Sequence, residues 1–286
     1  MTGDYEDRML RVLDFIYENL DADLSLDRLA EVAAMSRFHW HRVFHGMTGE
    51  TLAQAVRRAR MHRAACLLAR TDQPLREIGK ACGYDSPESF ARAFRAGYGQ
   101  TPMAFRNRGL TPPPISIKDG KDASMLDTPP TYEITIRDMP GYTLAALPHT
   151  GPYIEIGQAF EKLSAIVSSR GLWEQVQGMI GVYYDDPSAV PEEKLRSHAG
   201  LITGADFPME PPLEVVTLHS GPHGILLFKG PYAGLKSGYD YLYGTWLPQS
   251  GKTPADAAPY EIYLNTPMDT APDDLLTEIC LPLSPN

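Results

Sequence analysis

Apolar residues in the first 108 positions recur at the three- and four-residue spacing of an α-helix, so this region is predicted to be all helical. Ser25, Ser36 and Ser86 stand where helix N-caps are expected, and Gly49 stands where a helix should end. The predicted helices cover about 9–20, 26–34, 37–47, 51–68, 75–82, 87–97 and 102–107.

The pattern changes after position 130, where apolar and polar residues alternate as they do in half-buried β-strands. Strands are predicted at 132–137, 144–147, 179–184, 213–218, 225–228, 260–264 and 275–281. Helical spacing returns at about 154–169 and 232–246. The C-terminal half is therefore predicted to be an α+β domain.

This half also contains an internal repeat. An apolar strand, the tripeptide Gly-Pro-Tyr and a helix follow one another twice, with Tyr153 and Tyr232 79 positions apart. A duplicated strand–strand–helix–strand–strand unit is expected to give a pseudo-two-fold axis, with a pocket between the repeats.

Charge divides the chain in the same way. Positions 33–108 hold 13 Lys or Arg and 5 Asp or Glu, whereas positions 113–286 hold 10 and 22. A phosphate backbone would attract the first region and repel the second. Between them, a proline-rich stretch beginning with Thr111 predicts a linker. The expected organisation is a multidomain chain with an all-α domain at 1–110, a linker at 111–130 and an α+β domain at 131–286.

The helical half contains its own repeated unit, in which a short apolar helix, a tight turn and a serine-capped helix follow one another. Arg42 and Phe44 in the first unit correspond to Arg92 and Phe94 in the second. The phenylalanines are expected to hold each second helix on its core, which leaves the arginine side exposed. This is the arrangement of a recognition helix in a major groove.

These two units, followed by Gly97-Tyr-Gly-Gln-Thr-Pro-Met-Ala-Phe-Arg106, resemble the AraC/XylS family of transcription regulators over about 100 residues. The resemblance implies two helix-turn-helix motifs that enter successive major-groove segments on one face of DNA. Carried over by position, the candidate DNA contacts are Arg37, Phe38, His41 and Arg42 in the first helix, and Ser86, Pro87, Glu88, Ser89, Arg92 and Arg95 in the second. Glu88 departs from a purely basic surface, since a carboxylate reads cytosine but repels phosphate.

The C-terminal half resembles the GyrI-like ligand-binding domain over about 131–284, through its two Gly-Pro-Tyr repeats and its closing strands. By this resemblance Glu261 is the central acidic residue of a pocket. If the face of Ile262 packs on a helix, the face of Glu261 points into the central cleft. The predicted ligand-binding residues are Glu261, Tyr153, Tyr232, Tyr241, Trp246 and Tyr263, with Tyr142, Tyr183, Trp173 and Phe207 as further candidate walls. A carboxylate among aromatic rings suits a lipophilic cation.

Together these features predict a cytoplasmic transcription regulator, expected to be an activator, whose partners are double-stranded DNA, a small aromatic or cationic effector and RNA polymerase. No cofactor and no metal are expected, because the histidine spacings match no ligand pattern, and no membrane association is expected. Two alternatives stay open at the level of sequence. They are a GyrI-like hydrolase, with Glu261 as acid–base, and a protein-interaction module tethered to the DNA-binding region.

Overall fold

The computed structural model describes residues 3–108 and 131–285, and the predicted linker at 111–130 lies outside them. Contacts divide the chain into two compact units. The helical unit contains residues 3–34 and 48–108. The sheet unit contains Met35–Met47 together with residues 131–285.

The N-terminal half forms helices where the apolar spacing predicts them. In chain order they are α1 (Gly3–Glu18), α2 (Leu26–Ala33), α3 (Trp40–Thr48), α4 (Leu52–Arg70), α5 (Leu75–Ala81), α6 (Pro87–Tyr98) and α7 (Pro102–Asn107). Helix α3 begins later than predicted. The three preceding residues form a turn in which the amides of His39 and Trp40 donate to the carbonyl oxygen of Ser36.

Within the helical unit, α5 and α6 form the second helix-turn-helix. Ser86 caps α6 by accepting a hydrogen bond from the Ser89 amide at 3.1 Å. Phe90 and Phe94 are fully buried in a cluster with residues of α4 and α7. The turn between the helices needs Gly83, because its φ is +73° and a Cβ there would lie 2.5 Å from the Leu20 carbonyl oxygen.

The sheet unit is built on eight antiparallel strands. They are β1 (Ile134–Met139), β2 (Tyr142–Thr150), β3 (Val176–Tyr183), β4 (Arg196–Thr203), β5 (Glu214–Leu218), β6 (Gly221–Lys229), β7 (Tyr260–Tyr263) and β8 (Leu276–Pro282). Helix α8 (Gly157–Arg170) precedes β3. Helix α9 (Leu235–Tyr241) precedes β7 and continues through a π-helical turn at Leu242–Trp246 into α10 (Leu247–Ser250).

The strand order β1-β6-β8-β7-β3-β4-β2-β5 confirms the predicted duplication. If each of β1 to β4 is exchanged with its counterpart in β5 to β8, the same order results, read from the opposite edge of the sheet. The equivalent strands β3 and β7 pair at the centre. The Gly-Pro-Tyr segments are equivalent in detail. Gly151 and Gly230 both have a positive φ, and their amides donate to the carbonyl oxygens of Leu195 and Leu275, each at 2.9 Å.

Strand β4 was not predicted from the sequence. Its residues are almost all buried, so the polar–apolar alternation that marks a half-exposed strand is missing. The condition considered from the sequence, that a helix packs on the Ile262 face of β7, is not met. Tyr260 and Ile262 pack against residues of other strands, and the opposite face, with Glu261, meets α9 through Tyr239.

Within residues 3–108 and 131–285, none of the helices combines the length and the apolar character that crossing a membrane requires.

Candidate functional site

The pseudo-two-fold axis of the sheet unit passes through a polar site. In β3 and β7, Gly181 pairs with Glu261, and these two residues are 80 positions apart in the sequence. Tyr183 and Tyr263 are also 80 positions apart, and their hydroxyl groups are 2.6 Å from each other. Equivalent tyrosines therefore meet at the axis, where one repeat has glycine and the other has a carboxylate.

Tyrosine hydroxyls surround the Glu261 carboxylate. Tyr239 donates to Oε1 and Tyr263 donates to Oε2, each at 3.0 Å. The residue is only 4% exposed. Burial raises the pKa of Glu261 to about 7, although the hydrogen bonds from the tyrosines act in the opposite direction. The carboxyl group is therefore poised between its neutral and charged forms near neutral pH.

Gly181 leaves the space that this cluster occupies. A Cβ at this position would lie 2.6 Å from the Tyr263 hydroxyl oxygen and 2.8 Å from that of Tyr183. Both distances are shorter than any real Cβ contact, so a side chain here would displace the hydroxyl pair.

The two Gly-Pro-Tyr tyrosines extend the aromatic wall on either side. The ring of Tyr153 packs edge-on against Tyr183 at 4.8 Å between centroids, and that of Tyr232 against Tyr263 at 5.4 Å. The hydroxyl group of Tyr153 donates a hydrogen bond to the carbonyl oxygen of Asp185 at 2.9 Å. Each repeat thus contributes one pair of tyrosine rings to the site.

Two of the predicted ligand-binding residues are placed elsewhere in the sheet unit. Tyr241 packs against Tyr132, with ring centroids 5.5 Å apart, and Trp246 lies against the backbone of Gly224 in β6. Of the further candidate walls, Tyr183 joins the site. The others do not: Phe207 and Tyr142 pack into apolar clusters, and Trp173 is 43% exposed.

The sequence analysis missed Tyr239 and Tyr243. They lie four positions apart on α9 and its π-helical continuation, so they share a face, whereas Tyr241 points to the other side. Their rings are nearly parallel, with an interplanar angle of 5° and centroids 6.4 Å apart. Because helical spacing alone separates these tyrosines from Tyr241, the sequence did hold a signal for them.

Arg42, a predicted DNA contact, is 8% exposed and lies against this tyrosine pair. Its Cζ is 5.5 Å from the ring centroids of both Tyr239 and Tyr243. Nη2 donates to the carbonyl oxygen of Asp185 at 2.7 Å, and Nη1 donates to the Tyr243 hydroxyl at 3.4 Å. The guanidinium group therefore has cation–π partners and hydrogen-bond acceptors within the sheet unit.

His39, in the Met35–Met47 segment, is fully buried. Its Nδ1 is 2.9 Å from the Tyr243 hydroxyl, and its Nε2 is 2.9 Å from the Ala257 carbonyl oxygen and 3.1 Å from that of Ala255. Nε2 must carry the proton that is donated to these carbonyls. Burial, with a smaller effect of the nearby Arg42 charge, lowers the pKa of His39 to about 3.

Other residues of the segment have polar partners in the sheet unit. The Ser36 hydroxyl donates to Oδ1 of Asp256 at 2.7 Å, and Nε2 of His41 is 4.0 Å from Oδ2 of Asp186. Burial lowers the pKa of His41 to about 4, against the opposing effect of Asp186.

The remaining predicted contacts of the first recognition helix lie closer to solvent. Arg37 is exposed, with its Cζ 5.8 Å from the ring centroid of Phe38. Phe38 is half-buried and lines a groove with Tyr184, Ala258 and Tyr260.

The second recognition helix, α6, presents a different surface. Pro87, Glu88, Arg92 and Arg95 are exposed, and Ser86 and Ser89 are half-buried at its N-terminus. Its apolar side is held in the core of the helical unit through Phe90 and Phe94. The side chains predicted to contact DNA in α6 are thus on the outer side of the helix.

Comparison with known proteins identifies both halves of the chain. Residues 132–284 match the GyrI-like small molecule binding domain, and residues 29–108 match a helix-turn-helix domain. The first match covers more than half of the chain.

The chain is 32% identical over 97 residues to the regulatory protein SoxS of Salmonella typhimurium, covering 34% of this chain and 91% of SoxS. It is 30% identical over 128 residues to the transcriptional regulator Rob of the same species. The latter alignment covers 41% of this chain and 44% of Rob, so the chain matches less than half the length of that relative.

The chain is also similar to the solved structure of the EcmrR C-terminal domain, at 17% sequence identity and a TM-score of 0.45. The alignment covers 54% of this chain and 98% of the EcmrR domain. By the two domain matches and the identity to SoxS, the chain belongs to the GyrI-like small molecule binding family in its C-terminal half, and to the AraC-type helix-turn-helix regulators in its N-terminal half.

Proposed function

We propose that this protein is a sequence-specific transcription regulator whose DNA binding is controlled by a small lipophilic cation bound at Glu261. The observation that carries the proposal is a buried, tyrosine-ringed carboxylate in the same chain as an exposed recognition helix. A regulator needs both a surface that reads DNA and a site that distinguishes an effector.

Helix α6 supports the DNA-binding half of the proposal. Its basic residues Arg92 and Arg95 are exposed, as contacts to bases and phosphates require. Arg92 is the candidate for reading guanine through O6 and N7, which contributes roughly 1–3 kcal/mol of discrimination.

The test is selection of bound duplexes from a random pool by the full chain. We expect a bipartite motif with half-sites about one helical turn apart. Arg92→Ala should relax one half of the motif and leave the other half intact. Weak, salt-sensitive binding without a sequence motif would show that the chain is not a sequence-specific regulator.

The Glu261 site supports the effector half. A charged carboxylate is stabilised by a cation, and the tyrosine rings add cation–π attraction and apolar contact. Titration with benzylguanidinium should show binding that is lost in Glu261→Gln, and benzylurea, which has the same shape without the charge, should not bind. Equal binding of the two compounds would exclude a cation site.

We infer that the site binds its ligand without converting it. The side chains that contact Glu261 are tyrosines, and burial, followed by the charge of Glu261, raises the pKa of Tyr239 and Tyr263 well above 10. Such hydroxyls stay protonated at neutral pH and are poor nucleophiles. Ligand recovered unchanged after long incubation is the expected result, and a hydrolysed product would favour the enzymatic alternative.

We further propose that the DNA-binding and effector-binding domains are residues 1–110 and 131–286, and that the regulator is an activator that contacts RNA polymerase. In vitro transcription from a promoter carrying the selected motif tests the second statement. An increase in transcript on adding the protein is expected.

A further inference from the structure

We propose that Arg42 occupies the effector site as a built-in cation, so that effector binding and docking of the first recognition helix exclude each other. The inference rests on the function proposed above and narrows the effector to guanidinium-like and amidinium-like cations. In the absence of effector, α3 would be held on the sheet unit with the side chain of Arg42 buried.

Arg42 makes the contacts in the site that a bound cationic ligand would make. A planar cation lies near two tyrosine rings, donates to a backbone carbonyl, and stands next to a ring whose hydroxyl bonds to Glu261. An aryl or alkyl guanidinium can make the same contacts, because its N–H groups have the same fork geometry. A quaternary ammonium has no N–H to donate to the Asp185 carbonyl oxygen.

The same contacts make Arg42 unable to read DNA in this arrangement. A base-reading arginine must extend into the major groove, whereas this side chain is 8% exposed and its Nη2 is bonded to the Asp185 carbonyl oxygen. Two further residues of the same segment, Ser36 and His39, make hydrogen bonds to the sheet unit. Of the four residues that the family resemblance assigns to the first half-site, Arg42 is thus buried, Phe38 and His41 are half-buried, and Arg37 is exposed.

The backbone fit is tight where α3 crosses the π-helical turn. A Cβ at Gly46 would lie 2.5 Å from the Cα of Gly244, so the two backbones are in direct contact. The close approach requires glycine at both positions. Gly46 belongs neither to the cation site nor to the predicted DNA contacts, and this allows docking to be weakened without altering either surface.

The first experiment compares Gly46→Ala with the wild-type chain and with Gly157→Ala. Gly157 is a matched control, because a Cβ there meets no atom within 4 Å. We expect Gly46→Ala to bind both the selected duplex and benzylguanidinium about tenfold more tightly than the wild type, since neither ligand must displace the helix. Gly157→Ala should behave as the wild type. Circular dichroism verifies that both variants fold.

The second experiment links the segment that contains α3 to the sheet unit by a disulfide bond. The Ser36 hydroxyl and the Asp256 carboxylate are in hydrogen-bond contact, so Ser36→Cys with Asp256→Cys should form a disulfide on oxidation. The oxidised protein should lose tight binding of the duplex and of benzylguanidinium, and a reductant should restore both. Ser36→Cys alone controls for disulfides with the native cysteines.

Two results would overturn the inference. One is equal affinity of Gly46→Ala and Gly157→Ala for both ligands, and the other is unimpaired binding by the oxidised double variant. If the wild type selects a motif and the cation bound through Glu261 changes its affinity for DNA, while Gly46→Ala behaves as Gly157→Ala, the proposed function stands and only this inference fails. If cation binding does not depend on Glu261, the proposed effector site itself is wrong.

Discussion

At the residue scale, Glu261 is the group whose ionisation should be visible in the stability of the sheet unit. Its pKa is raised from an ordinary 4.5 to about 7, so the folded state holds a proton that the unfolded state has lost between these values. The stabilisation is fully present below pH 4.5 and is lost as pH rises through 7.

We therefore predict that replacing Glu261 by Gln changes the pH dependence of stability. Between pH 5 and pH 8 the wild type should lose on the order of 2–3 kcal/mol relative to Glu261→Gln, which cannot ionise. Urea titrations of both proteins at four pH values measure the difference. Taking the difference removes the titration of His39 and His41, which is common to both proteins. Parallel curves would mean that Glu261 is charged throughout this range.

At the element scale, docking of α3 should depend on pH through His39. Docked, this histidine has a pKa of about 3 and faces Tyr243, Arg42 and His41, whereas a solvated histidine has a pKa near 6.5. Neutral histidine is needed for docking, so docking is strongest above pH 6.5 and weakens as pH falls toward 3.

Each pH unit below 6.5 should weaken docking by roughly tenfold through His39. His39→Gln keeps an amide that can donate and accept but does not titrate, so it is the matched control. His41 titrates in the same direction and remains in both proteins. Hydrogen exchange of α3 amides, corrected for intrinsic rates, reports the opening. The same pH slope in both proteins would show that His39 does not control it.

Some of the helices, strands and contacts could be predicted from the sequence, and others could not. The helices were predictable because their caps and apolar spacing are local, as Ser86 and Phe94 illustrate. The duplication was predictable because Gly-Pro-Tyr occurs twice in matching contexts. Strand β4 was hidden by burial of both faces, and the docking of Arg42 depends on tertiary contacts that no spacing encodes.

The candidate site was likewise partly predictable. Glu261, which the family resemblance implied, lies together with the predicted tyrosines Tyr153, Tyr232 and Tyr263. Tyr241 is not in the site, because helical spacing places it on the opposite side of α9 from Tyr239 and Tyr243. The alternation along β7 correctly placed Glu261 and Tyr263 on the same face of the strand. The sequence of a single strand does not show which of its two faces is covered by a helix.

At the scale of the whole molecule, the cation and the duplex should each favour binding of the other, because both compete with docking of α3. If benzylguanidinium tightens binding of the selected duplex by some factor, saturating duplex must tighten binding of benzylguanidinium by the same factor. Calorimetric titration of the cation with and without duplex, at one salt concentration, measures this factor independently of the DNA assay. Unequal factors would mean that one of the ligands also binds at a second site.

The glycine opposite Glu261 has a consequence for how such a site could arise. In a symmetric homodimer, any residue next to the two-fold axis occurs twice, so a carboxylate there would face its own copy. Two neighbouring buried carboxylates cannot both ionise, and there would be no room for both beside the paired tyrosine hydroxyls. Within a single chain the two repeats can differ, and here one repeat has the acid while the other has glycine. The duplicated chain can therefore hold one buried acid at its pseudo-two-fold axis, where a pair of identical subunits would bring two together.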